Sequence, residues 1–241
     1  MGSGRGSREL EQERCRRDAQ YFIFSECILT KDEHDKTNPI KRFPETQYLR
    51  ALLDALLVSG HLLEPEQAVH AKAVGHSEAW LRALASSGIL AVEKSRQVMA
   101  TWLCCAYLLW RAKFRPHQLI LVQSKREDDA ANLVFNKDPW IARISFMESH
   151  LPPFLQTAQF PRAGSYGQLV FPNGSRIWGI PEGGDIIRSN TASVIFSDEA
   201  AFQPEFGASF TAALPSVKGG GQYIAVSSAE PGEFQTLVEA A

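Results

Sequence analysis

Cysteine is scarce in this 241-residue chain, and Cys15, Cys27, Cys104 and Cys105 show neither zinc-type nor oxidoreductase spacing. That argues against a disulfide framework or a thiolate metal site. It points to a reducing compartment, with Cys104-Cys105 simply packed in an apolar helix. An excess of one charge is also lacking. With 25 basic and 27 acidic residues, a net charge of -2, nucleic acid cannot be wrapped by bulk charge. Any DNA contact has to be local or made by an assembly of copies. Long apolar runs are missing too: the interrupted run at 103–110 is too short for a bilayer and leads into Arg111, Lys113 and Arg115. Residues 1–20 are polar and charged, which argues against a signal peptide, and 1–7 read as a disordered leader. Repeats and low-complexity tracts are absent. The histidines at 34, 61, 70, 76, 117 and 150 are scattered without paired metal-ligand spacing. Ser165 and Ser228 lack the elbow motif of a hydrolase nucleophile.

What is present is a 44% hydrophobic composition, enough for one sizeable core. Residues 8–80 read as mostly helical. Leu49, Leu52, Leu53, Leu56 and Leu57 mark one buried face of a helix over 45–57 behind Pro44. A second helix is expected over 76–85, stopped by Ser86-Ser87-Gly88. From residue 89 strands and helices alternate. Strands are expected at 89–92, 119–123, 168–171, 175–180, 193–196 and 223–226. Helices are expected at 101–114, 127–135, 138–150, 206–213 and 233–241, and Pro172-Asn173-Gly174 signals a hairpin. Several all-apolar strands alternating with helices predict an α/β fold with a mainly parallel sheet covered on both faces. Ligands of such folds sit beyond the carboxyl ends of the strands. The division expected is a polar leader at 1–20, a helical part at 21–88 and a core at 89–241.

Two segments fall at that edge. Val194-Ile195-Phe196-Ser197-Asp198-Glu199 is a strand delivering two adjacent carboxylates, which are costly there unless they hold a cation or a reacting water. About a hundred residues upstream, Lys94-Ser95-Arg96-Gln97-Val98-Met99-Ala100-Thr101 connects a strand to a helix. A standard phosphate loop reads G-x-x-x-x-G-K-[ST]. Here the hydroxyl of Thr101 is in place, but Met99 and Ala100 occupy the positions of the final Gly and Lys. Lys94 is the candidate replacement cation, long enough to reach the same phosphates from the front of the loop. Together the segments read as the halves of a nucleoside triphosphate site.

Lys94-Ser95-Arg96-Gln97-Val98 followed by Thr101-Trp102 resembles the deviant Walker A of large terminase subunits, the DNA-packaging motors of tailed double-stranded DNA phages. Pro44, Gln47 and Tyr48 sit where that family carries an adenine-side motif. Leu121–Lys125 with Asp128, Asp129 and Ala130 resembles its second strand and helix, 195–202 its Walker B, and Val226–Ala229 with Pro231-Gly232 its coupling motif.

The resemblance implies a RecA-like P-loop NTPase fold of the ASCE type, with ATP and Mg²⁺ as cofactors. Asp198 and Thr101 would hold Mg²⁺, and Glu199 would be the general base. ATP would be bound by 94–101, Arg96 and Gln97 included, with Gln47 near the base. Arg188 and Arg96 compete as arginine finger, Arg188 favoured in trans with Arg96 organising its own loop. Ser227 and Ser228 would sense the γ-phosphate, while Phe43 and Tyr48 read as core residues.

Implied partners are double-stranded DNA, further copies in a homo-oligomeric ring on the capsid portal, the portal protein and the small terminase subunit. No membrane is involved, and the implied location is the host cytoplasm rather than the virion. Full-length relatives carry a C-terminal nuclease domain. This chain ends before one, inside an expected helix, so truncation and no nuclease activity are expected. Alternatives are a helicase-like translocating ATPase and a nucleotide-binding scaffold module that no longer hydrolyses.

Overall fold

The computed structural model describes residues 3–25, 29–32, 35–95, 98–136, 138, 140–157 and 167–240. The N-terminal third is helical but not purely so. Helices α1 (Ser3–Arg17) and α2 (Ala19–Phe24) lead into a ribbon of two antiparallel three-residue strands, β1 (Leu29–Lys31) and β2 (Ile40–Arg42). Helices α3 (Gln47–Ser59), α4 (Val69–Ala73) and α5 (Glu78–Ser87) follow. The polar leader read from the sequence is therefore helix from Ser3 onward. It is tied down where the Trp110 indole N–H donates to the Cys15 carbonyl at 2.8 Å, a tertiary contact that local polarity does not announce.

Helix α5 shows how local chemistry sets boundaries. The Ser77 side chain accepts the Trp80 N–H at its start, and Gly88, at φ +65°, ends it in a left-handed turn that a Cβ would strain. The turn feeds β3 (Ile89–Glu93), followed by α6 (Ala100–Phe114), β4 (Leu119–Gln123), α7 (Glu127–Val134) and α8 (Arg143–His150). Strands β5 (Gln168–Val170) and β6 (Arg176–Ile180) form the expected hairpin. Then come the short α9 (Asp185–Arg188), β7 (Val194–Asp198), α10 (Phe206–Lys218), β8 (Gln222–Ser227) and α11 (Glu233–Ala240). The expected helix at 138–150 starts only at Arg143. Helix α10 outruns its expected end, continuing through Pro215 to Lys218 even though a proline there forfeits one backbone hydrogen bond.

The sheet order is β3-β8-β7-β4-β6-β5, parallel throughout except for the edge strand β5. Strand β8 thus separates β3 from β7. The register pairs Glu93 with Ser227 and Asp198 with Val226, so three strand ends stand within about a residue of one another. Strands β7 and β8 are buried along their whole length, the apolar runs 194–196 and 223–226 forming their centres.

Helix α6 is covered on all sides, every residue from Leu103 to Lys113 being buried. It lies between the sheet and helices α2, α3 and α8, which explains an apolar sequence without a polar face. Helices α10 and α11 cover the other face of the sheet around Phe206, Tyr223 and Phe234. Each large side chain fully buried in this way stabilises the fold by about 1.5–3 kcal/mol. Phe43 is buried against Phe24, but Tyr48 is 42% exposed, so the expectation of a core role for Tyr48 is wrong: it stands in the first turn of α3 facing outward. No described helix is long and apolar enough to cross a membrane.

Candidate active site

Beyond β3 the chain stays in register for one more residue, the Lys94 N–H donating to the Ser227 carbonyl at 2.9 Å. This fixes the lysine at the carboxyl edge of the sheet, and its Nζ donates to Glu199 Oε1 at 3.0 Å. At the tip of β7, Asp198 accepts the Thr101 hydroxyl on Oδ1 at 2.9 Å. The two halves read from the sequence, about a hundred residues apart, therefore touch at two points. Glu199 sits at φ +50°, a left-handed conformation costing a non-glycine residue about 1–2 kcal/mol. The bend turns its carboxylate sideways to Lys94 while Asp198 points at Thr101. Gln203, which sequence reasoning passed over, locks this acidic turn from behind by donating to Ser197 Oγ at 3.0 Å and to the Asp198 carbonyl at 2.8 Å.

Burial pushes the Asp198 carboxyl above the usual carboxylate range. Arg143, the Thr101 hydroxyl and Lys94 pull it back down, and Glu199 adds to the rise. Burial also lifts the thiols of Cys104 and Cys105, the latter to about 12, which removes both as nucleophiles near neutrality.

The N-terminus of α6 opens into the same space. Its N-cap is Met99 at φ +62°, which offers no side-chain acceptor, so the first-turn N–H groups are left for a ligand. Met99 adopts here the conformation that glycine supplies in a standard loop. Val98, Met99, Ala100 and Thr101 line a cleft of about 760 Å³ together with Lys94, Glu199 and Ser228. Its opposite wall is the β1–β2 ribbon with Thr30, Lys31 and Lys41, and Pro44 closes that side. Ser227 stands behind the cleft, its hydroxyl accepting the Ala201 N–H at 3.1 Å.

Other expected residues lie elsewhere. Ser95 is exposed, and Gln47, exposed on α3, does not line the cleft; Arg96 and Gln97 fall outside the described residues. Arg188 is on α9, paired with Asp185 at 3.0 Å, beside a separate depression lined by Thr211 and Ser216. It does not reach the cleft of its own chain.

Arg143 does, and it is the cation the sequence reading missed. It begins α8, faces the cleft, and stacks over the Trp102 ring at 5.6 Å from the centroid. A lone arginine after Trp140-Ile141-Ala142 carries no motif, and only the docking of α8 on α6 brings it there. Among the described residues, no group of three or more His, Cys, Asp and Glu gathers to hold a metal unaided. A carboxylate and a hydroxyl in contact suit Mg²⁺, which takes its remaining ligands from phosphate and water.

Neither a protein-family model nor a curated protein sequence matches the chain. The large terminase of bacteriophage HK97 superimposes with a TM-score of 0.56 at 13% identity, over 89% of this chain and 37% of that one. The chain has the RecA-like fold of large terminase ATPase domains. The ATPase domain of the Thermus phage P74-26 large terminase matches at 0.47 and 16% identity, over 63% of this chain and 64% of that domain. A large terminase from a thermophilic bacteriophage, in complex with ADP, matches at 0.41 and 14%, over 58% of this chain and 33% of that one. The chain spans less than two thirds of the length of each of these terminases.

Proposed function

We propose that the chain is an ATPase whose hydrolysis drives double-stranded DNA into a viral procapsid. The observation that carries the ATPase reading is the paired contact, Lys94 with Glu199 and Thr101 with Asp198, at the carboxyl edge of a RecA-like sheet. The packaging role is supported by the fold shared with the HK97 large terminase.

On nucleotide binding, Lys94 exchanges Glu199 for the γ-phosphate, and the α6 N–H groups take the inner phosphate oxygens. Freed of the lysine, Glu199 accepts a proton from water, whose oxygen attacks the γ-phosphorus as the bond to the ADP oxygen breaks. Asp198 and Thr101, already in contact, are the residues that would hold Mg²⁺, which would supply charge neutralisation for the phosphates. Ser227, bonded to both the Lys94 backbone and the Glu199 turn, passes loss of the γ-phosphate to β8, with Ser228 at the cleft wall. Arg188, exposed and remote from its own cleft, serves a neighbouring copy in a homo-oligomeric ring on the portal. The small terminase subunit and portal protein are the partners, in the host cytoplasm.

Calorimetry with MgATP and a phosphate-release assay test this. Glu199→Gln abolishes turnover and keeps binding, and Lys94→Ala weakens binding. A wild-type protein with no detectable affinity at millimolar MgATP sinks the reading. Mixing Arg188→Ala with Glu199→Ala subunits restores activity if the arginine acts between copies. Met99 and Ala100, in place of the usual Gly-Lys, favour a second reading, a nucleotide-binding module without hydrolysis. Binding without turnover in the wild type would select it.

A further inference from the structure

We infer that Arg143 is a second phosphate-binding cation of the cleft, holding the inner, α,β end of a nucleoside polyphosphate while Lys94 serves the γ end. The inference rests on the nucleotide reading above and assigns a residue that no phosphate-loop pattern includes.

Four observations carry it. Arg143 lines the cleft, yet it makes no ion pair or hydrogen bond with any described residue; it lies against the face of Trp102, with Asp198 near enough to feel its charge. An arginine on an aromatic face keeps its donors free at the guanidinium edge. Second, it occupies the first position of α8, where the helix's own positive end disfavours a cation and no acidic residue of the first turn offsets it. An anion in the cleft removes that mismatch. Third, its place is built rather than incidental. Phe146, one turn further along α8, packs edge-on to Trp102 at 6.0 Å, and Glu148 pairs with Lys113 of α6 in the core. Fourth, the phosphate loop lacks its usual lysine, since Ala100 stands there.

The end of the ligand it meets follows from the order of residues. Glu199, which marks the attacking water, lies at Lys94. Arg143 lies over Trp102, one residue deeper into α6 than Thr101, which sets it toward the inner phosphates while Lys94 faces the γ end.

The test is titration of wild type, Arg143→Ala, Arg143→Gln and Arg143→Lys with MgADP and MgATP, beside thermal melts. A charge-assisted contact of this kind is worth about tenfold to a hundredfold in affinity. Expected is a loss of that size in the Ala and Gln variants, by the same factor for ADP and ATP, with melting unchanged and Lys recovering much of the loss. Unchanged ADP affinity overturns the inference, and so does a loss confined to ATP, which would move Arg143 to the γ end. Lowered melting with undiminished affinity overturns it as well, by making the residue structural. Failure of the wild type to bind either nucleotide would instead bring down the site reading on which the inference stands.

Discussion

A lysine–glutamate pair lies near each end of helix α6, and the two could hardly be less alike. At its C-terminal end Lys113 meets Glu148 at 2.9 Å with both side chains 2% exposed. Lys113 also donates to the Leu155 carbonyl and to Thr157 Oγ1, and Glu148 accepts the Thr157 N–H. Nearly all the hydrogen-bonding capacity of that lysine is used inside the protein, so exchange is blocked. At the N-terminal end Lys94 meets Glu199 at 3.0 Å, with side chains 8% and 42% exposed. That pair opens on a cleft, and its lysine makes no other side-chain hydrogen bond among the described residues. The first pair clamps α8 to α6; the second is open at the cleft and free to exchange. Distance alone does not separate a structural ion pair from a functional one, but access and the number of remaining partners do.

The largest expected effect breaks the clamp. Glu148→Ala leaves a buried cation with only neutral acceptors, and stability measured by urea unfolding falls by about 3–5 kcal/mol. Replacing both members, Lys113→Met with Glu148→Leu, recovers most of that loss, because two desolvated charges disappear together. By contrast, Lys94→Ala changes stability by less than about 1 kcal/mol, since Glu199 then faces water. Its effect appears in nucleotide titrations instead. A Lys94→Ala protein as unstable as Glu148→Ala would erase the distinction between the two pairs.

Asp198 sharpens the same contrast through pH. Its carboxyl is held above its ordinary range mainly by burial, so between the unfolded and the raised native value the folded state binds the extra proton. The contribution of this group to stability is therefore greatest in acid and declines as pH rises through that window. Urea midpoints measured upward from about pH 4 should show this decline in the wild type and lose it in Asp198→Asn. At neutral pH the variant should be more stable than the wild type. A modest effect of opposite sign belongs to Met99→Gly, which releases a left-handed methionine and stabilises by about 1 kcal/mol in thermal melts.

Legibility in the sequence follows length and pattern. Strands β4, β7 and β8 are readable because buried parallel strands carry continuous apolar runs, and β3 because Ile89–Val92 is such a run although only Leu90 is buried. The turn at Asn173-Gly174 is readable because its residues are specific to hairpins. Lys94, Thr101, Asp198 and Glu199 stand out because strand ends of such a sheet converge. The ribbon of β1 and β2 escapes, since three residues cannot express a period of two over a useful window. Arg143 escapes for a different reason. Its place depends on where α8 docks, a tertiary event fixed by Phe146 and Glu148, and nothing in the residues beside it encodes that.

Ser227 has one further consequence. Its carbonyl is bound by the lysine turn on one side and its hydroxyl by the glutamate turn on the other. The middle strand thereby becomes a crossbar fastened at a single bolt to both jaws of the cleft. Both jaws thus share one anchor on β8, and β8 leads within a few residues to α11 on the far face of the sheet.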